Sequence, residues 1–269
     1  MPNIHPSSVV DKKAEIAKDA EIGPFCVVGP DVTIGAGTRL WSHVVIGGRT
    51  TVGERCTLFP NVSLGLDPQD KKAKDVKGLL VIGNENIIHE CVTMHSGSQN
   101  GSTTKVGDRN FFMNYSHIGH DCQLGNDIIV TNAVQLGGFV EVEDKAVFGG
   151  VMGVHQYVRI GRLSMVGGMS KVTNDVPPFS LCDGNPFRFR GTNLVGLRRA
   201  EFNSARIQAV KKALLLLFAS GKNRSGTLDE LKKEFHGNSD IDHLISFVQR
   251  SKRGVVRAAS QREMVEETS

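Results

Sequence analysis

The sequence predicts a parallel β-helix built from hexapeptide repeats, followed by a smaller α-helical domain. The first observation is a period of six. From residue 4 to residue 172 an aliphatic or aromatic residue occupies almost every sixth position, and of the 29 positions in this register only Asp70 and Asn100 are polar. Hydrophobic residues make up 39% of the chain, so chance does not produce this run. A period of six is typical of coils in which each hexad forms one flat face.

Two further observations support a β-helix built from hexads. Glycine often follows the apolar anchor, as at Gly137 and Gly149, where a tight corner favours a residue without a side chain. A small or β-branched residue usually lies four positions after the anchor, as at Cys26 and Cys122, which suits a narrow, densely packed interior. With three hexads to a coil, residues 18 apart stack at the strand spacing of about 4.8 Å. The 29 hexads predict nearly ten coils.

The pattern changes after residue 172, where Pro177-Pro178 marks the exit from the coils. We predict a β-helix over 1–180, an α-helical C-terminal domain over 181–257 and a polar tail over 258–269. The predicted helices are 202–219, 227–236 and 239–251. The predicted breaks are Ser220-Gly221 and the stretch from Asn223 to Gly226. A loop with alternating Phe and Arg, residues 187–190, is expected to lead into the helices.

The cysteines and the hydropathy pattern limit the cellular context. Five cysteines follow no metal or disulfide spacing, and Cys26, Cys56 and Cys122 occupy the small inward position, so we interpret those three as packing residues. Reduced thiols suit a cytoplasm or an organelle matrix. The chain has no apolar run of membrane-spanning length, and the hexads begin at residue 4, which leaves no room for a signal peptide. A cytoplasmic location is expected, with a matrix as the alternative if a transit peptide has been removed.

The net charge of +4 is unevenly distributed. Residues 185–257 contain 15 Lys and Arg against 6 Asp and Glu. Two interpretations are open, a solvated helical surface and a docking face for an acidic partner. Nucleic acid is disfavoured, because no recognition-helix motif and no basic platform with interleaved aromatic residues is present.

A polar cluster at residues 114–122, NYSHIGHDC, is the strongest candidate for chemistry. His117 precedes the anchor Ile118 and His120 follows it by two, so both side chains are expected to point outward around one corner. Asp121 is placed to orient or polarise an imidazole. The alternative is that these side chains are ordinary surface residues.

Stacking adds a second argument for this corner. The residue 18 positions after His120 is Gly138, whose bare backbone N–H would lie near a reacting atom and would form a one-donor oxyanion site. A further coil along is Gln156, beside His155. Alternatively Gly138 is only a corner glycine, although Gly137 already fills the usual corner position.

Two excursions interrupt the coils near this cluster. The first, residues 67–78, contains Asp70 and Lys72, which either contact a polar ligand or belong to a solvated insertion. The second, residues 96–104, is rich in Ser, Gly and Thr and follows His95.

At these residues the chain resembles the UDP-N-acetylglucosamine O-acyltransferases that begin lipid A synthesis. The matching segments are PQDKKAKD (68–75), TMHSGS (93–98), HIGHDCQLGN (117–126), GVHQYVRIG (153–161), MVGGMSKVTNDVPPF (165–179), GNPFRFRGTNLVGLRR (184–199) and RSKRGVVR (250–257). The combination is specific, whereas hexapeptides alone would identify only a large superfamily with many functions.

The resemblance implies a left-handed parallel β-helix that forms a homotrimer, with active sites in clefts between neighbouring β-helices. It implies transfer of an (R)-3-hydroxyacyl group from acyl carrier protein to the 3-hydroxyl of UDP-N-acetylglucosamine, without a cofactor or metal. The basic C-terminal region would then fit the acidic carrier protein.

The resemblance also assigns residues to roles. It implies His120 as general base, Asp121 as its partner and Gly138 as the oxyanion N–H donor. The other substrate-binding positions are Asp70, Lys72, His95, His117, His155, Gln156, Asn193 and Arg199, the last two at the nucleotide end, with Gly168 where the family gauges acyl length.

One departure from the family is evident. The family commonly has histidine after the double glycine, where this chain has Phe139, so a polar contact to the sugar or acyl group is expected to be absent. An inactive scaffold homologue is therefore an alternative. A zinc enzyme of the γ-carbonic anhydrase type is a second alternative, disfavoured because the close histidines are three apart and Asp121 follows them.

Overall fold

The computed structural model describes residues 2–218 and 224–258, and it contains a left-handed parallel β-helix with a helical C-terminal region, as predicted. Short parallel strands stack along three faces of a prism. Face A comprises Asn3–Ile4, Glu21–Ile22, Arg39–Leu40, Thr57–Leu58, Ile87–Ile88, Phe111–Phe112, Ile129–Val130, Val147–Phe148, Met165–Val166 and Ser180–Asp183. Face B comprises Val9–Val10, Val27–Val28, Val45–Ile46, Ser63–Leu66, Thr93–His95, His117–Ile118, Val134–Leu136, Met152–Val154 and Lys171–Val172. Face C comprises Glu15–Ile16, Val32–Ile34, Arg49–Val52, Leu79–Ile82, Thr103–Val106, Gln123–Leu124, Glu141–Val142 and Arg159–Ile160.

The strand register follows the predicted repeat of three hexads per coil, interrupted twice. Arg39 pairs with Thr57, as the repeat requires, but Thr57 pairs with Ile87 and Ile87 with Phe111, which are longer steps along the chain. Two segments therefore leave the coils. They form a long loop, residues 67–78, and a short loop, residues 96–102. Both loops extend toward the polar cluster at residues 114–122.

The interior of the prism is filled by the predicted anchors and small residues. Large anchors such as Phe112 and Phe148 are fully buried, and the small inward positions include the fully buried Cys26, Cys56 and Cys122. Burial of this apolar surface is the main source of stability, at roughly 25 cal/mol per Å². The first three anchors are less buried because they lie at the open N-terminal end of the prism; they are Ile4, Val10 and Ile16.

The loop predicted at residues 187–190 is wrong, because these residues form part of a β-hairpin. Strand Arg188–Thr192 pairs antiparallel with Ser180–Asp183 and extends face A. Phe187 and Phe189 are buried while Arg188 and Arg190 are partly exposed, so the alternation is that of a strand. The predicted domain division between residues 180 and 181 falls within the first strand of this hairpin, and it stays a prediction.

Four helices follow the hairpin in the described residues. They are α1 (Leu194–Arg199), α2 (Ser204–Phe218), α3 (Arg224–Glu234) and α4 (Ser239–Gln249). The last three correspond to the predicted helices, and α1 was not predicted. The second predicted break is wrong over 224–226, because these residues lie in α3. The other predicted break positions, 220, 221 and 223, lie outside the described residues, as does the predicted tail after residue 258.

The helices attach to the prism through an ionic network that includes the buried Asp240. Asp240 in α4 is nearly inaccessible and accepts hydrogen bonds from Arg162 of the prism and Arg206 of α2. His243 Nε2 lies 2.7 Å from the Glu143 carboxylate on face C. These contacts fix the C-terminal region against one end of the prism. Within the described residues no helix combines the length and apolar character needed to cross a membrane.

Candidate active site

His120 and Asp121 lie together at the corner between faces B and C. The Nδ1 atom of His120 is 2.9 Å from Oδ2 of Asp121. The side chains lie outside the prism core, as the sequence predicted, but they are only 6% and 7% exposed because neighbouring segments cover them. The pair is therefore held in one orientation and is shielded from bulk water.

Gly138 lies directly over the imidazole of His120. A Cβ atom at this glycine would be 2.5 Å from Nε2 of His120 and as close to Cε1, so no side chain fits there while the ring stays in place. Within the described residues the Gly138 N–H donates no hydrogen bond to protein. The three-hexad repeat thus brings a bare backbone donor next to an imidazole.

Hydrogen bonds keep Asp121 ionised. Burial raises the pKa of the Asp121 carboxyl, but hydrogen bonds outweigh this effect and the net pKa is lowered. The donors are the Ser102 side chain, Ser98 and His120. Because an ionised carboxylate only accepts, Nδ1 of His120 carries the hydrogen, and Nε2 of the neutral ring is left as the acceptor.

The two loops close over this corner. In the short loop, the backbone N–H of Ser98 donates to Asp121 Oδ2 at 3.0 Å. In the long loop, the carbonyl of Asp67 accepts from Nδ1 of His95. Each loop thus makes a hydrogen bond to a predicted site residue, Asp121 or His95. The spacing of residues in the sequence did not predict these two bonds.

His117 lies on face B beside this pair. Its Nδ1 is 2.8 Å from the Thr93 hydroxyl, and its ring centroid is 5.3 Å from that of His95. Burial lowers the pKa of His117 to about 4, with further lowering by the nearby His95 and His120. At neutral pH His117 is consequently an uncharged hydrogen-bonding group.

These side chains line an open cavity of about 320 Å³. Among the predicted site residues it contains His95, His117, His120, Gly138 and Gln156. Sequence reasoning did not assign the other seven lining residues to the site; they are Gln69, Gly119, Gln135, Leu136, Gly137, Gly153 and Val154. Residue Gln135 was detectable, because it pairs with His117 on face B.

Three predicted residues do not line this cavity but lie within three positions along the chain of a residue that does. Asp70 and Lys72 belong to the long loop, where the Asp70 carboxylate accepts the backbone N–H of Lys72. Exposed His155 has Nδ1 3.2 Å from the Gln156 carbonyl.

The remaining predicted residues lie elsewhere on the prism. Asn193 and Arg199 line a second cavity of about 640 Å³ against the outer side of face A. Asn193 caps α1, since its Oδ1 accepts from the Gly196 N–H at 3.0 Å, and its Nδ2 donates to the Leu163 carbonyl. Exposed Gly168 lies at the corner between faces A and B, over Gly150. One chain therefore does not bring all the predicted residues together.

Thiol chemistry is not indicated at the corner. The nearest thiol, Cys122, points into the core, and burial raises its pKa to about 12. Across residues 2–218 and 224–258, no group of three His, Cys, Asp or Glu side chains is arranged to hold a metal ion.

Comparisons with known proteins give matches over most of the chain. Residues 175–256 match a family model described as UDP-N-acetylglucosamine O-acyltransferase, domain 2, and residues 13–48 match a bacterial transferase hexapeptide model. An acyl-[acyl-carrier-protein]–UDP-N-acetylglucosamine O-acyltransferase of Thermodesulfovibrio yellowstonii is 44% identical over 258 residues, covering 96% of this chain and 100% of that protein. Its counterpart in Sinorhizobium fredii is 43% identical over 246 residues, 91% of each chain. The solved structure of the UDP-N-acetylglucosamine O-acyltransferase from Moraxella catarrhalis is 40% identical, with a TM-score of 0.91, and the match covers 94% of this chain and 99% of that one.

Proposed function

The chain belongs to the family of UDP-N-acetylglucosamine O-acyltransferases, and we propose that it transfers an (R)-3-hydroxyacyl group from acyl carrier protein to the 3-hydroxyl of UDP-N-acetylglucosamine. This acyltransferase reaction is the first step of lipid A biosynthesis. The observation that carries the proposal is the His120–Asp121 pair beneath the bare backbone of Gly138.

The proposed base is Nε2 of His120. A sugar hydroxyl is far too weak an acid to ionise at neutral pH, so it needs a base as it attacks the thioester carbonyl. Asp121 fixes the ring with Nδ1–H toward the carboxylate and stabilises the imidazolium that forms. The abstracted proton then passes from Nε2 to the departing thiolate of the carrier's prosthetic group.

The proposed oxyanion donor is the Gly138 N–H. Attack converts the planar thioester carbonyl into a tetrahedral centre with a negatively charged oxygen. A fixed backbone donor stabilises this charge more in the transition state than in the ground state, because its dipole needs no reorganisation. Direct attack of this kind needs no acyl-enzyme, which agrees with the buried, weakly acidic Cys122.

The polar side chains around His120 are proposed to bind the substrates. His95, His117 and Gln156 line the 320 Å³ cavity and offer hydrogen bonds to the sugar and the acyl group. Asp70, Lys72 and His155 lie next to it, and we propose that they contact substrate from the rim. The nucleotide end is assigned to Asn193 and Arg199, and Gly168 is proposed to limit acyl length.

This division supports our proposal that the protein forms a homotrimer with sites between subunits. On face A an apolar strip, Ile87, Phe111, Ile129, Val147 and Met165, points outward and runs to the cavity that holds Asn193 and Arg199. An outward apolar strip of this length is typical of an interface. We propose that it packs beside the face B–face C corner of a neighbouring copy, which completes the site.

Mixed trimers test this arrangement. His120→Ala and Arg199→Ala chains are each expected to be inactive as homotrimers. Refolded together, they should recover activity, because some interfaces then combine an intact His120 with an intact Arg199 from another chain. No recovery in trimers verified by light scattering would place both residues in one chain's site.

The basic C-terminal region is the proposed docking face for the carrier protein. Residues 185–257 carry a nine-charge excess of Lys and Arg, and the acidic carrier would be attracted to it. Raising the ionic strength is expected to increase KM for the acylated carrier and to leave KM for the sugar nucleotide nearly unchanged.

The primary experiment incubates the protein with UDP-N-acetylglucosamine and an (R)-3-hydroxyacyl carrier protein, with product detected by mass spectrometry. Acylated sugar nucleotide is expected from the wild type and at least about 100-fold less from His120→Ala. His5→Ala, an exposed histidine in the first coil, is the matched control and should retain full rate. A wild-type protein without turnover would favour the scaffold alternative.

A cytoplasmic location is proposed on the same grounds as the function, since both substrates of the reaction are cytoplasmic in bacteria. Subcellular fractionation with antibody detection tests it, and recovery from an organelle matrix would favour the alternative.

A further inference from the structure

Phe139 lies beside His120 and has no part in the proposed chemistry. It occupies the same corner as Asp121, one coil further along the prism, and its backbone N–H donates to the His120 carbonyl at 2.9 Å. The backbone of Phe139 is in the left-handed region, with φ of 60°. The ring is therefore held at a defined place next to the proposed base.

The ring of Phe139 contacts His120 on one side and Tyr157 on the other. The His120 and Phe139 centroids are 5.2 Å apart with perpendicular ring planes. The Phe139 and Tyr157 rings stack in parallel at 4.6 Å, with planes 7° apart. Edge-to-face and stacked pairs both restrict ring rotation, so the two contacts form a chain from exposed Tyr157 to buried His120.

Phe139 also separates two cavities. His120 and Gly138 line the 320 Å³ cavity. Asp121, Phe139 and Tyr157 line another cavity of about 750 Å³, and the two cavities have no lining residue in common. Removing the Phe139 ring would open space beside the imidazole. The His120 ring could then rotate away from Asp121, and its Nε2 atom would no longer point into the 320 Å³ cavity.

We propose that Phe139, braced by Tyr157, is a positioning residue that keeps the His120 ring in line with Asp121 and directs Nε2 into the cavity lined by His120 and Gly138. The inference rests on the proposed function, because it concerns the same base. It assigns to Phe139 a role in turnover and none in substrate affinity. It also gives Tyr157 a supporting role through the stacked pair.

The test compares Phe139→Ala, Phe139→Leu, Phe139→Tyr and Tyr157→Ala in steady-state acyl transfer, each as the full chain. Phe139→Ala is expected to lower kcat about 3- to 10-fold, equivalent to about 0.6–1.4 kcal/mol, with KM for the sugar nucleotide within about twofold. Phe139→Tyr keeps a ring and should restore kcat to within about twofold, and Tyr157→Ala should lie between these values.

Phe25→Ala is the matched control. Phe25 also lies at a left-handed corner, with φ of 58°, and stacks on a ring one coil along, His43 at 5.0 Å. Its truncation imposes the same kind of structural loss far from the site, so kcat should be unchanged.

Crystal structures of Phe139→Ala and the wild type give a readout independent of activity. In the variant, the His120 ring is expected to be divided between the wild-type orientation and a second one in which the Nδ1–Asp121 Oδ2 bond, 2.9 Å long in the wild type, is broken. An unchanged kcat in Phe139→Ala, or a loss that Phe139→Tyr does not restore, would overturn the proposal. If Phe139→Ala does not fold, Phe139→Leu replaces it in the test. A kcat of Phe139→Leu equal to that of Phe139→Tyr would overturn the proposal, because the ring would then not be needed. An inactive wild type would instead refute the proposed function, which separates the two failures.

Discussion

Replacing Gly138 with alanine is the most direct test of the site geometry. The added Cβ would be 2.5 Å from Nε2 of His120, whereas ordinary van der Waals contacts of a Cβ atom begin at about 3.4 Å. The obstructing group is a side chain, and Gly138 has no positive φ, so the backbone accepts alanine while the imidazole must move. The ring has to retreat by about 1 Å, which breaks its hydrogen bond with Asp121.

The expected cost follows from this displacement. A misplacement of about 1 Å at a reacting group lowers turnover by about 100-fold, equivalent to about 3 kcal/mol of transition-state stabilisation. Loss of the charge-assisted bond to Asp121 should lower the free energy of unfolding by about 2 kcal/mol. KM for UDP-N-acetylglucosamine should change little, because the side chains proposed to bind it, His95, His117 and Gln156, are unchanged.

Steady-state acyl transfer and urea unfolding measure the two effects in parallel. Gly226→Ala is the matched control, since a Cβ there meets no atom within 4 Å and the residue lies in α3, away from His120. If Gly138→Ala turned over at near wild-type rate with the His120–Asp121 bond intact in a crystal structure, the argument that this glycine is required for the base would be wrong.

Three further predictions follow from other parts of the molecule. Lowering the pH from 6.5 toward 4 should reduce the free energy of unfolding by about 3 kcal/mol more in the wild type than in His117→Gln, measured by urea unfolding across pH. The sign arises because the folded pKa of His117 is about 4, so the unfolded chain takes up the proton first; equal slopes for both proteins would contradict it. Cys122→Ser should retain kcat within about threefold, because a buried thiol with a raised pKa is no nucleophile, and complete loss of turnover would argue for an acyl-enzyme. Asp240→Asn should destabilise the protein by about 2 kcal/mol in thermal unfolding, because Arg162 and Arg206 lose their shared carboxylate; an unchanged Tm would show that the network adds no net stability.

The β-helix could be predicted from sequence because its packing is periodic. Large anchors such as Phe112 and small residues such as Cys122 occupy fixed positions in each hexad. The six-residue period alone therefore determines where strands and corners lie and which residues stack. The hairpin at Arg188–Thr192 was missed although its Phe-Arg alternation is a strand pattern, because it lies beyond the six-residue period and pairs antiparallel with Ser180–Asp183. Helix α1 was missed because it is short and contains Gly196, which weakens any helical pattern.

The candidate site was predictable only where it follows the coil repeat. His120, Asp121 and Gly138 are related by adjacency and by one full coil, so their contact could be inferred before the structure. The contributions of Gln69 and Ser98 could not, because each lies in a loop whose path depends on tertiary contacts without a repeat. The N-cap role of Asn193 was likewise hidden, since it required recognition of α1.

A rigid prism explains why such a site would need a second copy of the chain. His120 lies at the corner between faces B and C, whereas Arg199 lies in the cavity against face A. The faces are joined by a core of fully buried anchors, and a close-packed interior does not bend to bring one face onto another. No hinge motion within the coils can therefore unite the two groups of residues. Apposition of two prisms along the outward apolar strip of face A can do so without deforming either one, and the mixed-trimer experiment measures that arrangement directly.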